Sequence, residues 1–71
     1  MKFNFRKLSH LIIDTFGTQY LFAEQMGLTE RSVSLKINGK RQWKQEEIMK
    51  ACRLLGITVD EIGEIFFNVE V

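Results

Sequence analysis

The sequence predicts a small all-α bundle of five helices, and three observations carry that expectation. Apolar residues recur at three- and four-residue spacing along most of the chain. Glycines fall where helices would end, and none of the 71 residues is proline. The composition, 45% hydrophobic and 27% charged, excludes a disordered segment. A chain this short buries only ~60% of the surface its unfolded form exposes, so its core must be efficient or shared with a second copy.

Taken in order, Asn4 suits the cap of a first helix over about 5–16, with Phe3 packing on Leu8 as a hydrophobic staple. Phe5, Leu8, Leu11 or Ile12, and Phe16 supply its apolar stripe, and Gly17 ends it. Thr18 caps a second helix from Gln19 to about Gln25, with Phe22, Ala23 and Met26 inward and Gly27 closing it. Ala23 is the small side chain that lets two steeply crossing helices approach. Thr29 caps a third helix over about 30–37, with Leu28 packed before it. Val33 and Ile37, four apart, face the core. Glu30, Arg31, Ser34, Leu35 and Asn38 face outward, with Ser32 and Lys36 at the edges.

After Asn38-Gly39, residues Lys40 to Lys44 form a basic connector around Trp43. Trp43 has two open placements, a lid over the core or a contact with a nucleic-acid backbone. A fourth helix, Gln45 to Leu55, carries Ile48, Ala51, Cys52 and Leu55 on its apolar face. Glu46 and Glu47 read as surface charges matching the dipole of its first turn. Thr58 to Glu61 has the capping-box spacing and starts a fifth helix with Ile62, Ile65 and Phe66 inward. The tail from Phe67 to Val71 alternates like a short extended segment.

Enzyme chemistry finds little to work with. One His (His10), one Cys (Cys52) and no metal-ligand spacing argue against an enzyme, a metal site or any cofactor, and no small-molecule ligand is expected. A lone cysteine fits a reducing cytoplasm. The short apolar runs predict neither a membrane span nor a signal peptide. Charge distribution says more than the net value of +1. Residues 1–44 carry eight Lys/Arg against three acidic residues (+5), while residues 45–71 carry two against six (−4). Such asymmetry suits a chain that turns one face to a polyanion.

The third helix fits that role. Val33 and Ile37 would fix its tilt, leaving Glu30, Arg31, Ser34 and Leu35 to read base edges in a major groove. Arg31 could grip guanine O6 and N7 with two bonds. Leu35 either meets a thymine methyl or is partly buried beside Val33. Gln19, Asn38, Lys40, Arg41 and Lys44 would hold the flanking phosphates.

Thr18-Gln19, Ala23, Gly27-Leu28-Thr29, Ser32-Val33-Ser34 and Asn38-Gly39-Lys40 stand in an order and spacing that resembles the phage repressor and Cro-type helix-turn-helix family. The likeness covers residues 4–66. Ser34 to Lys40, with Gln45-Glu46-Glu47-Ile48, looks most like small prophage-encoded Cro-like regulators. The resemblance implies a five-helix, lambda-repressor-like fold as one domain over residues 1–71, with its helix-turn-helix at about 18–38. It also implies a homodimer on a palindromic double-stranded DNA operator and transcriptional repression. Two positions depart from the family. Ile37 is apolar where many members are acidic, and Lys36 is charged where they bury an aliphatic side chain, so the face of the third helix is open to rotation.

Phe66, Phe67, Val69 and Val71 are the candidates for a dimer contact, the other option being that they pack back on the first helix. A protein-interaction module of the same fold, an antitoxin or anti-repressor, is the alternative to DNA binding.

Overall fold

The five expected helices are present in a computed structural model, which describes residues 2–70. They are α1 (Arg6–Phe16), α2 (Gln19–Met26), α3 (Glu30–Ile37), α4 (Gln45–Leu55) and α5 (Ile62–Phe66), the last entered through a 3-10 turn at Val59–Glu61. Two short strands, β1 (Lys2–Phe3) and β2 (Val69–Glu70), bracket them. The architecture is all-α with a two-stranded strap joining its ends.

Local chemistry accounts for the helix limits. The Asn4 side chain accepts from the Arg6 amide at 2.8 Å, and Thr18 and Thr29 accept from Leu21 and Ser32 at 3.1 Å each. These bonds satisfy amides that have no partner inside a helix. Gly27 closes α2 at φ +75°, and the Leu28 amide reaches back to the Ala23 carbonyl at 2.9 Å. That left-handed turn is the corner that sets α3 across α2, and a residue with a Cβ adopts it only under strain.

Thirteen apolar residues form the core, among them Phe5, Leu8, Ile12, Phe22, Ala23, Met26, Val33 and Ala51, with Ile65 and Phe66 from α5. Ile37, Ile48 and Ile62 lie half-buried at its margin, as do Leu28 and Trp43. Trp43 is the lid, its ring edge-on to Phe66 at 5.4 Å between centroids.

Three expectations need correction. Phe3 is not a staple on Leu8. It sits in β1, paired antiparallel with Val69, and its ring lies 6.0 Å from Phe67 and 6.3 Å from Phe5. Lys2 faces Glu70 across the strap, and the Asn4 amide donates to the Asn68 carbonyl at 2.6 Å. Phe66 cannot serve a surface contact, because its side chain belongs to the monomer's own core at 2% exposure. Phe67 and Val69 stay exposed at 50% and 38%, while Val71 lies outside the described residues.

The third correction concerns Lys36 and Glu47. Lys36 is no edge residue; it is 3% exposed, on the inner side of α3. Its ammonium lies 2.9 Å from the Glu47 carboxylate, donates to the Gln42 carbonyl at 2.9 Å and sits over the Trp43 ring at 5.9 Å. Glu47, in turn, is no free surface charge, since it also accepts from the Lys44 amide at 2.8 Å.

Candidate functional site

The outer side of α3 and the connector behind it form one continuous surface. Glu30 and Arg31 are exposed in the first turn of α3, Ser34 and Leu35 are half-buried, and Asn38 is exposed at the end. Leu35 is thus partly buried, in line with the second of its two placements. Thr29 is exposed, but its hydroxyl is already engaged as the cap of α3. Gln19 stands half-buried at the start of α2. The Asn38 amide donates to the Ser34 carbonyl at 2.9 Å and so closes the last turn of α3.

Lys40, Arg41 and Lys44 are exposed along the connector. Arg41 bends back to donate to the Ser32 hydroxyl at 3.0 Å, which ties the connector to α3. The connector is pinned from beneath by the Lys36–Glu47 pair: Lys36 holds its Gln42 carbonyl and Glu47 holds its Lys44 amide. Burial pushes the Glu47 carboxyl up, but hydrogen bonds from Lys36 and the Lys44 amide, with the charges of both lysines, hold it below the ordinary carboxylate value. A basic loop fixed this way meets an anion with little entropy left to lose.

A second surface lies beside the connector. Phe3 and Phe67, 47% and 50% exposed, form one lip of a groove of about 270 Å³; Gly39, Arg41 and Gln42 form the other, with Trp43 and Phe66 between. The Trp43 indole Nε1 is buried and has no hydrogen-bond partner among the described residues. A larger and more polar groove of about 490 Å³ adjoins it, lined by Lys2, Arg6, His10 and Asn38 among others. Neither groove was read from the sequence. The available signal was the parallel between Phe3-Asn4-Phe5 and Phe67-Asn68-Val69, two apolar–polar–apolar triplets at opposite ends of the chain.

No reactive constellation accompanies these surfaces. His10 is exposed on α1, and burial raises the Cys52 thiol and keeps it from forming a thiolate. Among the described residues, no three His, Cys, Asp or Glu side chains stand together as metal ligands, and no helix is long and apolar enough to cross a membrane.

A family model described as "Protein of unknown function (DUF739)" matches residues 1–69. The solution structure of the modulator of repression (MOR) of the temperate bacteriophage TP901-1 from Lactococcus lactis is similar, with 45% sequence identity over 100% of this chain and 96% of that one, and a TM-score of 0.81. No curated protein sequence matches.

Proposed function

This chain belongs to the DUF739 family, and from that premise we propose that it is a small phage regulatory protein that modulates repression by binding a repressor protein. The observation that carries the reading is the likeness to a phage modulator of repression, 45% identical from end to end. A modulator, unlike a repressor, changes what another regulator does, and direct contact with that regulator is the simplest physical route. Exposed aromatic side chains beside an arginine support it, since such residues dominate the energetics of protein interfaces. The action is one of binding rather than catalysis, and this is the anti-repressor form of the interaction module.

A second reading keeps α3 as a DNA reader within a helix-turn-helix at about 18–38. Arg31, exposed near the N-terminus of α3, and the basic residues Lys40, Arg41 and Lys44 favour it. In that reading two copies of the chain bind a palindromic operator, with Thr29, Glu30, Arg31, Ser34 and Leu35 toward the bases and Gln19 and Asn38 toward phosphates.

One experiment separates the two. The chain is titrated into a labelled operator duplex saturated with the repressor encoded by the same phage, followed by fluorescence anisotropy and sedimentation. The expected result is a stoichiometric complex of chain and repressor with altered operator occupancy. Direct binding of the chain to duplex DNA that weakens steeply with salt, without any complex with the repressor, would overturn the protein-binding reading in favour of the second.

A further inference from the structure

The groove between the strap and the α3–α4 connector combines three features that a folded surface rarely leaves together. Phe3 and Phe67 stand half in water at its lip, although a molecule this small gains from covering every aromatic ring. Trp43 lines it with an indole N–H that is buried and unpartnered among the described residues, and buried indole N–H groups ordinarily find an acceptor. Its wall carries one charged side chain, Arg41, and no carboxylate, with Lys40 and Lys44 on the same connector. The apolar floor asks for an apolar side chain; the arginine asks for an acceptor.

We propose that this groove is the docking site for the partner protein, taking a short segment that pairs an aromatic or large aliphatic residue with an adjacent aspartate or glutamate. The inference rests on the protein-binding reading above and names the surface that carries it. The apolar side chain lies against Phe3 and Phe67, and the carboxylate pairs with Arg41. Charge complementarity selects an acidic polypeptide, because the groove's own lining is aromatic with a single arginine and no second cation to follow successive phosphates. The outer side of α3 is the poorer candidate for this partner: its side chains are polar and partly engaged in capping.

A library of random 12-residue peptides displayed on phage particles is panned against the immobilised full chain, and the enriched peptide is titrated into the isotope-labelled chain by NMR. The expected result is enrichment of sequences with an aromatic or large aliphatic residue next to Asp or Glu, and movement of the Trp43 indole resonance on binding. Arg41→Glu and Phe67→Ser, both at exposed positions and checked for helix content by circular dichroism, each weaken the peptide at least tenfold. Arg31→Ala leaves it unchanged. The proposal is overturned by absence of any sequence preference, or by peptides that move α3 resonances instead. It is equally overturned if random duplex DNA moves the groove resonances in place of the peptide, or if those resonances shift with the chain's own concentration, which would make a second copy the occupant. Failure of the peptide arm while the repressor complex forms sinks the groove alone. A repressor that does not bind while the peptides do sinks the repressor reading alone.

Discussion

A charged side chain at 3% exposure must have every one of its demands met, and Lys36 has a carboxylate, a carbonyl and an aromatic face around it. A buried pair of this kind breaks even against an apolar pair of similar shape, while removing one member strands the other. Lys36→Ala should therefore cost roughly 3–5 kcal/mol in urea unfolding. The double change Lys36→Met with Glu47→Gln keeps an acceptor for the Lys44 amide and should stay within about 2 kcal/mol of the parent. A double variant as unstable as Lys36→Ala would show that the ion pair itself, and not a stranded Glu47 carboxylate, carries the stability. Acid tests the same pair. The Glu47 carboxyl is lowered in the folded chain, so its contribution is complete above the unfolded value of about 4.3 and fades as pH falls through the lower folded one. The stability gap between the parent and Glu47→Gln should accordingly narrow below about pH 4.5, read from urea midpoints across a pH series. Glu61, lowered by its hydrogen bonds to Thr58, contributes to the acid limb of both proteins alike and drops out of the difference.

Between α2 and α3 the geometry turns on Gly27. A Cβ built there meets nothing within 4 Å, so the cost of Gly27→Ala lies in the backbone at φ +75° and not in a clash. That cost is about 1–2 kcal/mol, and for a domain of this size it lowers the melting temperature by roughly 5–15 °C. Asparagine, which tolerates the left-handed region better, should recover part of the loss; equal melting of the two variants would refute the backbone argument. The same corner explains why the helices were legible in the sequence. Threonine before and glycine after is a local signal for α3, and Gly56 marks the end of α4; both helices have the expected bounds, Glu30–Ile37 and Gln45–Leu55. Only half of the strap was legible: the alternating tail read as extended and β2 lies in it, but nothing marked β1 or its pairing, because the partners lie at opposite ends of the chain. Lys36 was misread for a related reason. A polarity pattern assigns lysine to water, and only the arrival of Glu47 from the next helix makes its burial affordable. The exposed side of α3 could be read from helical spacing alone, whereas the groove could not, since it exists only where the strap meets the connector.

At the scale of the molecule, the strap is what joins the two ends of the chain, and its removal separates stability from association. Truncation after Phe66 deletes β2 and the Phe67 ring but leaves every member of the apolar core in place. The losses are the Phe3–Phe67 contact, the strand pair and the bond from the Asn4 amide to the Asn68 carbonyl. Half-covered aromatic surface and a few exposed hydrogen bonds sum to about 2 kcal/mol. The shortened chain should keep its helical circular dichroism while melting roughly 10 °C lower. Its sedimentation should match that of the intact chain, because the exposed rings of the strap await a partner of different chemistry rather than a second copy. A dimer that dissociates on truncation would return Phe67 and Val69 to the role of a self-association surface. It would also make the paired molecule, with two copies of α3 set by symmetry, the unit that acts.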